Sequence, residues 1–177
     1  MSDYFACSRV DLDFLNQTKN IFRTETVVKA TPAQVFEVFE DAQAWVAWVK
    51  PLEKLEWTSP RPYGVGTSRM VTMLGGIDGY EEFVAWQADK RMAFTFTGCS
   101  NNLVEKLMED YQVSDLGSGR SRVEWAMGFE LRGFPRYLIW LARPILRITQ
   151  RRMFARFKEY VENYAIKQAT DAHSVTM

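Results

Sequence analysis

The chain has 177 residues, enough for one domain with a sizeable core, and its 47% apolar and 25% charged composition is ordinary for a soluble globular protein. Lys plus Arg and Asp plus Glu are both 22, so zero net charge gives no bulk attraction to nucleic acid. No apolar run is long enough to span a membrane, no secretory signal opens the chain, and Cys7 and Cys99 lack metal-ligand spacing; a reduced, cytoplasmic protein is expected.

Residues 1–20 show no clear period and read as an N-terminal extension, with one short helix near Leu12 to Leu15. Ile21 to Lys29 is rich in Thr and Val and alternates, which predicts a strand. Thr31 then offers a cap and Pro32 suits the first helical position, so a short helix follows with Val35, Phe36 and Phe39 inward. Asp41 caps a second short helix carrying Trp45, Val46 and Trp48, and Pro51 ends it.

Six strands are expected next: Leu52 to Thr58, Thr67 to Leu74, Tyr80 to Gln87, Met92 to Thr97, Leu103 to Val113 and Ser121 to Leu131. The turns between them are short, at Gly75 to Gly79, Asp89–Lys90 and Leu116 to Arg120. Short turns predict an antiparallel meander. The last third, Phe134 to Ala165, is helical. Leu146, Met153, Phe157, Tyr160 and Tyr164 fall on one face, while Tyr137 to Leu141 is apolar on every side. Pro144 predicts a kink or a junction of two helical pieces. The fold class is α+β: a curved antiparallel sheet of about seven strands around a long C-terminal helix, with two short helices after the first strand. Residues 21–165 form the domain and residues 166–177 a flexible tail.

Strand alternation assigns the faces. Val123, Trp125, Met127, Phe129 and Leu131 look towards the helix, as do Met92, Phe94 and Phe96. The same rule places Leu107, Glu109, Tyr111 and Val113 inward, and Tyr80, Glu82, Val84 and Trp86 with them. Glu82 and Glu109 are thus carboxylates on apolar faces, where an unpaired charge is costly and its pKa moves. They are read as ligand anchors, as an acid/base pair, or as members of a structural ion pair with Arg69. A β-bulge would exchange the faces at either end of a strand.

The order of elements resembles the SRPBCC superfamily over roughly Phe22 to Tyr164. This is the helix-grip group of START domains, Bet v 1-like proteins and polyketide cyclase/dehydrase-like proteins. The carriers are Ala30-Thr31-Pro32-Ala33-Gln34-Val35-Phe36, Trp45 and Trp48 before Pro51, Gly64-Val65-Gly66-Thr67, Gly119-Arg120-Ser121-Arg122-Val123 and the Arg-rich terminal helix. The resemblance implies a cavity between sheet and helix for a hydrophobic or amphipathic molecule of lipid, polyketide or isoprenoid type, with the glycine loop near its mouth. With the faces above, the expected ligand-binding residues are Trp48, Arg69, Tyr80, Glu82, Val84, Trp86, Phe94, Phe96, Glu109, Tyr111, Trp125, Met127, Phe129, Met153 and Phe157.

The single histidine, His173, excludes zinc sites, Ser-His-Asp catalysis and a two-His iron site from the reading. No metal and no cofactor is expected. Binding or transport of a ligand is the leading function. A cofactor-independent aromatase/cyclase using Glu82, Glu109 or Tyr111 is the first alternative. The second is a peripheral membrane or protein-interaction module. Residues 132–158 hold eight cations and no acid, and Arg143, Arg147 and Arg151, four apart, form a stripe suited to an anionic membrane, with Trp140 and Leu141 entering the interface. No base-reading motif accompanies the stripe, and nucleic acid is not an expected partner.

Overall fold

Local signals set most element boundaries. The computed structural model describes residues 4–174; the side chains of residues 172–174 and all of residues 1–3 and 175–177 lie outside the description. The elements are β1 (Phe5–Ala6), α1 (Phe14–Gln17), β2 (Ile21–Val28), α2 (Pro32–Glu40), α3 (Ala42–Trp48), β3 (Leu52–Trp57), β4 (Ser68–Met73), β5 (Ile77–Gln87), β6 (Arg91–Cys99), β7 (Val104–Gly117), β8 (Arg120–Leu131) and α4 (Pro135–Ser174). α2 starts in a capping box: the Gln34 N–H donates to the Thr31 hydroxyl and the Thr31 N–H donates to the Gln34 side chain at 3.0 Å. The Asp41 carboxylate caps α3 by accepting from the Gln43 N–H at 2.8 Å.

Among the described residues the sheet runs β2-β8-β7-β6-β5-β4-β3, all antiparallel, and β1 adds to β6. The curled sheet holds α4, which packs on β2, α2 and α3. Phe157 of α4 stacks on Phe39 at 5.3 Å and meets Trp48 at 5.2 Å, and Trp125 of β8 stacks on Tyr111 of β7 at 5.5 Å. Such ring pairs each contribute about 0.5–1.5 kcal/mol beyond their burial.

Three expectations change. The N-terminal extension holds the expected short helix and, beyond the expectation, covers the outer face of the sheet. Phe14 and Leu15 pack there with Met108 and Ala126, and the Leu15 side chain lies where a Cβ on Gly128 would meet it at 2.9 Å. Glycine at 128 is what permits that approach. Of the kink or junction expected at Pro144, the junction does not occur, because Pro144 lies inside one continuous helix. That helix also continues beyond Ala165 to Ser174, so the expected tail is helical over 166–174. Gln168 in this stretch is tied to α2, donating to Glu37 at 2.7 Å and accepting from Gln34 at 3.1 Å.

Candidate functional site

A cavity of about 200 Å³ lies between the inner face of the sheet, α3 and α4. Its wall is apolar over most of its extent: Trp45, Leu52, Leu55, Val71, Phe94, Phe96, Leu107, Trp125, Met127 and Met153 all contribute. Met73, Leu107, Met127 and Met153 are only half-buried and ring one end, where Val49 and Pro51 complete the rim. The register puts this rim at the end of the sheet where Leu52 pairs with Met73 and Phe129 with Leu107.

Four polar side chains break the apolar wall: Arg69, Glu81, Glu109 and Tyr111. Arg69 and Glu81 stand opposite each other across β4 and β5. Both are buried, at 2% and 5% exposure, and the Arg69 Nε–H donates to Glu81 Oε2. The guanidinium lies 4.3 Å from the Trp45 ring and 4.4 Å from the Phe94 ring, which hold it in place. Its Nη1 is buried and has no hydrogen-bond partner among the described residues. Glu109 Oε2 accepts from the Tyr111 hydroxyl at 2.6 Å and from the Trp125 indole N–H at 3.0 Å.

Burial dominates the electrostatics. It raises Glu81 above the usual carboxyl range, against the opposing pull of the Arg69 charge. Burial pushes Glu109 up to about 7; the bond from Tyr111 lowers it and the negative charge of Glu81 raises it further. Burial and the neighbouring Glu109 hold the Tyr111 phenol well above its ordinary value. Around neutral pH the cavity therefore combines a fixed cation, a carboxyl that exchanges its proton, and a phenol that stays a donor.

Of the residues expected at a ligand site, Arg69, Phe94, Phe96, Glu109, Tyr111, Trp125, Met127 and Met153 line this cavity. Trp48, Trp86 and Phe157 belong to the packed core beside it, and Phe129 stacks on Phe22 at 5.8 Å. Tyr80, Glu82 and Val84 are corrected to the outer face. Tyr80 meets Tyr4 there, Glu82 pairs with Arg9 at 2.8 Å, and Val84 joins the cluster around Phe14. The cause is a β-bulge between Phe83 and Ala85, which exchanges the faces N-terminal to it. Alternation counted back from Trp86 runs through that bulge and selects Glu82 in place of Glu81. The loop Gly64-Val65-Gly66-Thr67 does not line the cavity.

The arginine stripe is also revised. Steps of four residues advance about 40° beyond a full turn, so Arg143, Arg147 and Arg151 wind from the protein side outward. Arg143 donates to the Lys19 carbonyl, while Arg147 and Arg151 are exposed.

The fold recurs among solved structures. A protein of Thermus thermophilus superimposes with a TM-score of 0.64 at 20% identity, covering 80% of this chain and 96% of its own. The Zhui aromatase/cyclase from Streptomyces sp. R1128 gives 0.63 at 16% identity, covering 84% and 94%. A START superfamily protein from Mycobacterium smegmatis gives 0.61 at 10% identity, covering 84% and 99%. In sequence, an uncharacterised protein of Mycobacterium tuberculosis is 40% identical over 158 residues, covering 89% of this chain and 94% of its own. Over residues 20–162 the chain matches the family model described as polyketide cyclase/dehydrase and lipid transport, and it belongs to that family.

Proposed function

We propose that this protein binds a small hydrophobic molecule bearing one oxygen-rich polar end. The observation that carries this is the unpartnered Arg69 Nη1, buried in the wall of an otherwise apolar cavity. A buried donor without an acceptor costs about 1–3 kcal/mol. A carbonyl, phenol or carboxylate oxygen on a ligand removes that cost while the remainder of the ligand fills the apolar wall. Size narrows the class. About 200 Å³ lies below the roughly 300 Å³ at which drug-sized pockets begin. It exceeds the ~150 Å³ of an engineered cavity that takes benzene. A single ring or short acyl chain fits; a longer lipid, polyketide or isoprenoid requires its tail to leave between Met127 and Met153, or the rim to open.

Native mass spectrometry of the purified protein, followed by solvent extraction, tests the reading. A bound mass of this class, released on unfolding and lost in Arg69→Met, is expected. No bound mass, together with no shift on titration with benzoate or phenol, sinks it.

One observation favours a second reading, a cyclase or dehydratase. Glu109 lines the cavity beside the Tyr111 hydroxyl, and burial pushes its carboxyl up to about 7, where a carboxyl both gives and takes a proton efficiently. In this reading Glu109 moves a proton on a ligand carbonyl polarised by Arg69, and Tyr111 holds the carboxyl in place. Glu109→Gln then abolishes turnover of a short poly-β-keto thioester and spares its binding. Unchanged turnover removes the enzyme reading and leaves the binding reading intact.

A further inference from the structure

The outward side of α4 changes character along its length. Over 137–148 it presents Tyr137, Leu138, Trp140, Leu141, Ile145 and Ile148, all exposed, with Trp140 at 63% and Ile145 at 67%. From 151 onward the same side carries Arg151, Arg152 and Glu159, with Ile166 a single exposed apolar residue among them. None of the six apolar residues belongs to the packed core clusters, whereas Met153, Phe157 and Val161, further along the helix, do. A single exposed apolar side chain is unremarkable, but six on consecutive turns form a contact surface.

Charge selects what covers it. The segment 132–158 has eight cations and no acid, and Arg147, Arg151 and Arg152 are exposed beside the apolar row. A second copy docking by symmetry would set arginines against arginines. An anionic bilayer matches both features, because it accepts the apolar side chains below its headgroups and the arginines among them. Arg136, stacked on the Tyr137 ring at 4.6 Å, adds a cation at the start of the row.

Position supports the same occupant. α4 leaves the sheet just after Leu131, which pairs with Val104 at the end of the sheet where Leu107 and Met127 form the cavity rim. Leu74 and Leu103, at neighbouring loop tips, are exposed too. No described helix is long and apolar enough to cross a membrane, so the contact is peripheral.

We propose that the first half of α4 is a docking surface for anionic lipid bilayers, with the cavity rim at the same end of the molecule. It stands independently of what fills the cavity. The test is co-sedimentation of the full chain with vesicles of phosphatidylcholine alone and of phosphatidylcholine mixed with phosphatidylglycerol. Binding to the mixed vesicles only, weakening as salt rises, is expected. Each of Arg147→Glu and Arg151→Glu lowers partition about fivefold or more. Leu141→Glu with Ile148→Glu abolishes it, and both sites are exposed, so the fold is retained. Lys167→Glu, the same charge change at the far end of the helix, leaves partition within about twofold. Equal binding to both vesicle types, no binding, or binding indifferent to the 141/148 pair overturns the proposal. So does a dimer in sedimentation equilibrium that the 141/148 pair dissociates, since the face is then an interface between copies.

Discussion

Two arginine–carboxylate pairs cross this sheet, one on each face, and they differ in what they leave unpaired. On the outer face Arg91 holds Asp110 through two bonds, Nε to Oδ1 at 2.8 Å and Nη2 to Oδ2 at 3.0 Å, and Gln112 adds a third at 2.9 Å. The Arg91 side chain is 32% exposed and reaches water. On the inner face Arg69 meets Glu81 through Nε, both are buried, and Nη1 has no partner among the described residues. The same chemistry is therefore satisfied on one face and incomplete on the other. A satisfied pair stabilises a sheet; an incomplete one in a cavity wall is available to a ligand.

The sharpest way to break the comparison is to remove the inner cation. Arg69→Met strands Glu81 in an apolar wall and should cost about 3–5 kcal/mol. For a chain of this size that lowers Tm by roughly 10 °C. Arg69→Met with Glu81→Met replaces the whole pair by apolar volume and should recover most of the loss, while ligand retention stays abolished. Thermal and urea denaturation of the two variants measure this. Equal instability of single and double variants would mean the pair itself, rather than a stranded charge, holds the fold.

Next in size is the pH dependence contributed by Glu109. Its carboxyl titrates at about 7 in the folded chain against an ordinary 4.5. Between those values the folded state holds a proton that the unfolded state has released. Its contribution to stability is thus fully present below about 4.5, falls as pH rises through 7, and is flat above. The total is roughly 3 kcal/mol over the span. Glu109→Gln retains an oxygen for Tyr111 and Trp125 and cannot ionise. Its urea midpoint should fall less from pH 5 to 8 than the parent's, the remaining decline coming from the raised Glu81 carboxyl, and should lie above that of the parent at pH 8. A parallel decline in both proteins would place the titrating group elsewhere.

Much of this architecture was legible in the chain. Period-two and helical spacing, the Thr31–Pro32 start and the glycine turns gave the seven main strands, α2 and α3 within a few residues, and the start of α4 but not its extension from 166 to 174. Inward placement of Phe94, Glu109, Tyr111 and Trp125 followed from alternation, because β6, β7 and β8 are regular where those residues sit. Glu81 was hidden by the bulge at Val84, which no local composition marks. A signal did exist in the hairpin. The turn spans Leu74 to Gly76, shorter than the Gly75 to Gly79 turn expected, and a three-residue loop there sets Arg69 opposite Glu81. Register read from this shorter turn pairs them, whereas the longer turn expected would have set Arg69 opposite Ala85. The packing of residues 4–20 on the sheet was illegible for another reason. Their contacts are with residues far along the chain, such as the Tyr4 hydroxyl donating to the Thr97 carbonyl at 2.9 Å. A short aperiodic segment carries no trace of a surface formed by distant strands.

The smallest effect is expected on the outer face, and it completes the comparison. Asp110→Asn removes a buried charge and one of the two acceptors for Arg91, but Arg91 turns its freed N–H to water at little cost. The loss should be about 1–2 kcal/mol, well short of Arg69→Met. Ligand retention should be unchanged, because Asp110 points away from the cavity that Glu109 and Tyr111, its neighbours in β7, help to line. Adjacent residues of one strand thus serve opposite faces. An Asp110→Asn variant that lost ligand as readily as Arg69→Met would show that the strand transmits disturbance across the sheet, and the division of labour between the two pairs would fail.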